Sequence, residues 1–259
     1  MKNRSVLITG STSGIGLGIA RAFAASGARV MLNGFGDPQE IASLCSELSS
    51  RHETEVRYHP ADVSQGDEVA QLVAATEEAF GSLDVLINNA GIQFVSPIED
   101  FPEDKWAAIQ SVILTASYRA IKAALPGMKR HNRGRIINIA SAHGLAASPF
   151  KSAYVAAKHG QIGLTKTVAL ELAETGITCN AICPGYVLTP LVERQIEGHI
   201  QRTGKTREQV IREIILVPQP SKRFVTIEEI AGLAVYLAGD LAASITGSAI
   251  AIDGGWTAH

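Results

Sequence analysis

Ser5-Val6-Leu7-Ile8-Thr9-Gly10-Ser11-Thr12-Ser13-Gly14-Ile15-Gly16 reads as a short apolar strand, a glycine-rich turn and the opening of a helix. Gly10 permits a sharp turn, Gly14 lets backbone approach an anion, and Gly16 allows helix and strand to pack closely. A helix entered this way presents unpaired N–H groups and a positive dipole end, which together make a phosphate cradle. Over Ile15 to Ala25 the apolar residues Ile15, Ile19, Ala22 and Phe23 fall on one helical face.

Working outward from that loop, short apolar runs alternate with helical patterns. Strands are predicted over Ser5 to Thr9, Arg29 to Asn33, Glu55 to His59, Val85 to Asn88, Arg135 to Ala140, Ile177 to Cys183 and Ala249 to Ile252. Several are continuous Val, Ile and Leu runs without polar alternation, as strands covered on both faces are. Ser64 to Phe80 reads as a helix opened by a capping box of Ser64 and Asp67. The pattern predicts an α/β fold: one Rossmann-like domain over 1–259, a doubly wound parallel sheet with helices on both faces. The segment Tyr186 to Ser221, bracketed by Pro184, Pro190, Pro218 and Pro220, follows a strand's carboxyl end and reads as a helical substrate lid.

Composition narrows the function. The chain has 259 residues, 46% hydrophobic and 19% charged, with a net charge of −2. That apolar share excludes disorder, and 23 basic against 25 acidic residues leaves no positive excess for nucleic acid or anionic lipid. No apolar run reaches a membrane span, and Met1-Lys2-Asn3-Arg4 opens without a signal-peptide pattern, so a cytoplasmic protein is expected. Cys45, Cys179 and Cys183 match neither a zinc spacing nor a CxxC pair and are expected to be buried small hydrophobes. No His, Cys and carboxylate grouping suggests a metal.

The chemistry is carried further along. Tyr154-Val155-Ala156-Ala157-Lys158 places a phenol and an ammonium on one face of a helix, and Ser141 ends the strand before it. A neighbouring ammonium favours phenolate and brings a phenol toward use as a base. After the second strand, Asn33-Gly34-Phe35-Gly36-Asp37 holds no Arg or Lys for a 2′-phosphate, which favours NAD over NADP.

With these residues in place, the chain resembles the short-chain dehydrogenase/reductase family over essentially its whole length. The matching motifs are Thr9-Gly10 with Gly14-Ile15-Gly16, Asp62-Val63, Asn88-Asn89-Ala90-Gly91, Ser141, Tyr154 with Lys158, and Pro184-Gly185. The resemblance implies NAD as cofactor, held by Gly10, Thr12, Ser13, Gly14, Ile15, Gly16, Phe35, Asp62, Val63, Asn89, Ala90, Gly91, Pro184, Gly185 and Val187 with Tyr154 and Lys158. It implies Tyr154 as acid/base, Lys158 lowering its pKa, Ser141 orienting the substrate oxygen, and a homotetramer. Segments such as Leu32-Asn33-Gly34-Phe35-Gly36-Asp37, Ser141-Ala142-His143-Gly144 and Asp253-Gly254-Gly255-Trp256 are most similar to bacterial members acting on D-3-hydroxybutyrate. On that likeness Gln93, His143, Lys151, Tyr186, Gln195 and Trp256, with Ser141 and Tyr154, surround a small anionic hydroxy or keto acid. The implied activity is NAD-dependent interconversion of (R)-3-hydroxybutyrate and acetoacetate.

Two positions depart from the family pattern. Ile113 stands where the family has an Asn whose bound water links the Lys to solvent, with Gln110 and Ser117 one turn away as candidate substitutes. Tyr186 replaces the usual Trp after Pro-Gly. Two other readings therefore stay open: a reductase of longer 3-oxoacyl or other small keto-acid substrates, and a weakly active member that mainly binds dinucleotide.

Overall fold

Seven parallel strands form one sheet in the order β3-β2-β1-β4-β5-β6-β7, in a computed structural model that describes residues 1–258. They are β1 (Ser5–Ile8), β2 (Arg29–Asn33), β3 (Val56–His59), β4 (Val85–Asn88), β5 (Gly134–Ile139), β6 (Ile177–Pro184) and β7 (Ala249–Ile252). Their bounds shift from the expected ones by no more than a residue at either end, the normal fraying of such boundaries. The strand order reverses between β1 and β4, which pair through Val6↔Val85 and Ile8↔Ile87; a crevice opens at such a reversal.

Alternation along each strand divides the core into two layers. Val6, Ile8, Val30, Leu32, Ile87 and Ile137 face one way. They are covered by α1 (Gly14–Ala25), α2 (Pro38–His52) and α9 (Ile227–Ala238). Leu7, Met31, Leu86, Ile136 and Cys179 face the other way, under α3 (Gly66–Phe80), α5 (Ala116–Arg130) and α6 (Ser152–Glu171). Both faces are therefore apolar, which is why the strands read as unbroken hydrophobic runs. Ile19 and Phe23 of α1 are fully buried, and Ile15 and Ala22 pack partly buried beside them.

Three local expectations change. The capping box does not form: the Ser64 N–H donates to Asp62 Oδ1 at 2.9 Å, and α3 starts at Gly66 after Gln65 without a side-chain cap. Cys179 and Cys183 are buried but Cys45 is only half-buried. The helix before β5 is interrupted. After α4 (Glu103–Gln110), residues Ser111–Thr115 make a π turn that leads into α5, the kind of insertion found at functional positions.

The segment after β6 is more regular than its prolines suggest. α7 (Pro190–Thr203) is followed by α8 (Arg207–Val210) and a second π turn, Ile211–Ile215. Thr206 caps α8 through a true capping box with Gln209. Val192, Ile196, Val210, Ile215 and Leu216 give this pair a small core of its own. No helix among the described residues is long and apolar enough to cross a membrane.

Candidate active site

A cleft of about 690 Å³ lies over the carboxyl ends of the strands. Its floor is the loop after β1. Gly10 has a left-handed φ of +63° and sits so close to Ala90 that a Cβ would lie 2.9 Å from the Ala90 Cα. Gly14, at φ +56°, is different: its Cβ would meet only Thr189 Cγ2, at 3.9 Å. That face of the loop is open backbone. Ser13 precedes α1 without capping it, and no acidic side chain stands in the first turn, so among the described residues the first amides of the helix have no side-chain acceptor and remain free for an anion. The loop is clamped from β4. The Asn89 side-chain amide donates to the carbonyls of Thr9 and Gly10, both at 2.9 Å, and Thr9 Oγ1 accepts from the Asn89 and Ala90 N–H groups.

Thr12, Ser13, Ile15, Phe35, Asp62, Val63, Asn89, Ala90, Gly91, Pro184, Gly185 and Val187 all line the cleft with Gly10 and Gly14. Gly16 does not. A Cβ there would overlap the Gly10 carbonyl and the Asn89 amide, so its place is the tight junction behind the cradle and not the ligand surface. At the Phe35 end Thr12 Oγ1 donates to the Phe35 carbonyl at 2.8 Å. Asn33 turns inward: its amide donates to the His59 and Ala61 carbonyls.

The α6 helix brings Tyr154 and Lys158 to the middle of the cleft, opposite Ser141. The Lys158 ammonium, 3% exposed, stands 5.6 Å from the Tyr154 ring centre. It donates to the Ile139 carbonyl at 2.6 Å and to Gln161 Oε1 at 3.3 Å. Ser141 Oγ accepts from the His143 N–H at 3.1 Å. Burial pushes the Tyr154 phenol up to about 12, partly offset by its hydrogen bond with Ser141 and reinforced by Tyr186. Burial also brings Lys158 down to about 7. The expected lowering of Tyr154 by Lys158 is thus not the dominant effect, because desolvation acts against charge on both partners.

Beyond Tyr154 the wall becomes aromatic. Tyr186 stacks on Trp256 with ring centres 5.5 Å apart, and His143 meets Trp256 edge-on at 4.8 Å. Burial first, then Lys151 and His159, hold the His143 ring down to about 3, so it is neutral. Lys151, 9% exposed, has a single acceptor among the described residues, the Tyr186 hydroxyl at 3.2 Å; burial lowers it to about 8. Gln93 also lines the cleft, and its buried Nε2 has no acceptor among the described residues. Gln195 reaches the cleft from α7.

Residues 10–257 match the family model described as Enoyl-(Acyl carrier protein) reductase. The chain belongs to the short-chain dehydrogenase/reductase family. It is 57% identical over 256 residues to a D-beta-hydroxybutyrate dehydrogenase of Rhizobium meliloti, covering 99% of both chains. It is 50% identical over 259 residues to the D-beta-hydroxybutyrate dehydrogenase of Cupriavidus necator, covering 100% of both. Among solved structures, a variant of the actinorhodin polyketide ketoreductase with NADPH superposes with a TM-score of 0.92 at 36% identity, covering 100% of each chain.

In this short-chain dehydrogenase/reductase, the open glycine backbone, the acceptor-free first turn of α1 and the long cleft fit a nicotinamide dinucleotide. Two features of the site, one lining the cleft and one behind it, escape the sequence reading. Arg194, on α7, lines the cleft and adds a third cation; its position on a helix read only as lid gave no signal. Gln161 contacts Lys158 from one turn further along α6. A polar residue at that spacing from the lysine, on the buried face of its helix, is the one trace it leaves in the sequence.

Proposed function

We propose that this chain interconverts (R)-3-hydroxybutyrate and acetoacetate with NAD. The carrying observation is the end of the cleft beyond Tyr154. A dehydrated Lys151 ammonium with one neutral acceptor among the described residues stands over the Tyr186 ring of the aromatic box, and Gln93, whose buried Nε2 has no partner among them, lines the same cleft. A carboxylate there would satisfy both donors, and the stacked Tyr186 and Trp256 rings leave room for a short chain. The absence of a cation beside Phe35 supports NAD over NADP.

When bound, the nicotinamide supplies the acceptor for the C3 hydride. The protein does the rest. Tyr154, as phenolate, takes the proton of the C3 hydroxyl while the C3–H pair departs and C=O forms. Ser141 donates to the reacting oxygen and fixes its face. Lys158, in its ammonium form, stabilises the phenolate electrostatically. Lys151, Gln93, His143 and Gln195 orient the carboxylate, and closure of the 186–221 segment over it excludes water. The exposed Tyr118 and Leu170 on α5 and α6, and the free outer edge of β7, support assembly as a homotetramer.

The test is NADH formation from the (R) and (S) acids, with carrier-linked 3-oxoacyl reduction measured beside it. Turnover of the (R) acid alone is expected. Tight NADH binding with no turnover of the (R) acid, or preference for the longer substrate, overturns the proposal.

A further inference from the structure

The lysine that partners Tyr154 is held by a hydrogen-bonded chain that no motif of the sequence announces. Gln161 Oε1 accepts from Lys158 Nζ at 3.3 Å, Gln161 Nε2 donates to Ser117 Oγ at 2.8 Å, and Ser117 Oγ donates to the Ile113 carbonyl at 2.7 Å. All the side chains involved are shut from solvent: Gln161 is 1% exposed, Ser117 and Lys158 3%, and Ile113 0%. The expected alternative, Gln110, is turned away and donates to the Ala153 carbonyl.

The direction of this chain is dictated by counting protons. A carbonyl only accepts, so the single hydroxyl proton of Ser117 goes to Ile113. Ser117 must then accept from Gln161, which puts the amide nitrogen toward Ser117 and the amide oxygen toward Lys158. The reverse orientation would set the amide N–H group against the ammonium. Ser117 thus fixes an otherwise ambiguous amide with its acceptor aimed at the charge. The Ile113 side chain packs with Ile109, Ala153, Ala157 and Tyr154, so this flank is apolar where the family carries an Asn and its water. The π turn of 111–115 supplies only its backbone carbonyl.

We infer that Gln161, braced by Ser117, is the positioning residue that holds the Lys158 ammonium against Tyr154, in place of an asparagine on the neighbouring helix. The inference rests on the reading of Lys158 as the partner of Tyr154. The other ionisable groups facing Lys158 are Tyr154 itself and, from β6, Cys183; β5 offers the Ile139 carbonyl and α5 the neutral Ser117.

The decisive measurement is the titration of Lys158 by NMR of ¹³Cε-labelled lysine, in the full protein without and with NADH, assigned with Lys158→Met. Gln161→Leu removes an acceptor of the charged form, so the Lys158 midpoint falls by roughly one pH unit or more. Gln161→Glu keeps the acceptor and adds charge, so the midpoint rises. In turnover the alkaline limb of kcat moves down in pH in Gln161→Leu while KM for the acid stays put. Ser117→Ala, a deletion of one hydroxyl, shifts the titration in the same direction by less and carries the test if Gln161→Leu fails to fold. An unmoved Lys158 titration in the folded variant overturns the inference. Because that readout needs no substrate, a wrong substrate leaves it intact.

Discussion

The two ends of the cleft are built from different materials. The phosphate end is backbone: Gly10 and Gly14 in left-handed conformation, free helix amides, and the Asn89 clamp behind them. The substrate end is side chain: Lys151, His143 and Tyr154, each displaced from its ordinary pKa by burial. A backbone cradle keeps one charge state at every accessible pH and depends on conformation alone. A wall of desolvated side chains depends on proton occupancy. Damage at the first end should therefore appear in folding and dinucleotide affinity, and damage at the second in turnover, acid affinity and their pH dependence.

The sharpest break of that contrast is Tyr154→Phe. It is expected to lower kcat about 10³-fold while NADH binding, followed by fluorescence titration, is unchanged; equal loss of both would erase the division. Next is the cradle. Gly16→Ala forces a methyl into the Gly10 carbonyl and the Asn89 amide and should cost about 2–3 kcal/mol in denaturant unfolding. Gly14→Ala makes only an ordinary contact with Thr189 and should cost only about 1 kcal/mol through its left-handed φ, with weaker NADH binding at pH 6 and pH 9 alike.

Lys151→Met comes third, raising KM for the acid about tenfold to a hundredfold with NADH affinity intact. In the unaltered protein Lys151 has a depressed midpoint of about 8. The ammonium is the form that holds a carboxylate, so KM should climb as pH rises through that value, and binding above it should take up a proton. A KM flat from pH 7 to pH 10 would remove Lys151 from acid recognition. The smallest effect is Tyr186→Phe. It deletes the Tyr186 hydroxyl that accepts from Lys151 and should change KM only about two- to fivefold, because the ring still stacks on Trp256.

What the sequence discloses follows the same division. The parallel sheet is legible because both its faces are apolar, so Val6, Leu7 and Ile8 need no alternation to be read as strand. The cradle is legible because glycine is the residue that left-handed turns select. Gly16 sits in the right motif yet behind the ligand surface, since periodicity does not say which side of a turn a missing Cβ leaves empty. Ser64 looks like a cap, but Asp62, two residues away, takes its N–H first. Gln161 is hidden for a deeper reason. Its role depends on Ser117, 44 positions distant, and on the loss of a polar side chain at Ile113, a pairing that exists only once α5 and α6 have packed.

The Asn89 clamp also bears on how the molecule comes into being. Thr9 and Asn89 are 80 positions apart, and the parallel pairing of β1 with β4 that brings them together spans the whole stretch of chain holding α1, α2 and α3. A growing chain that has emerged as far as α3 already carries every glycine of the phosphate loop, but not the amide that holds the loop in shape. The finished phosphate cradle thus depends on the docking of the central strands, because the clamp that shapes it comes from the second of them.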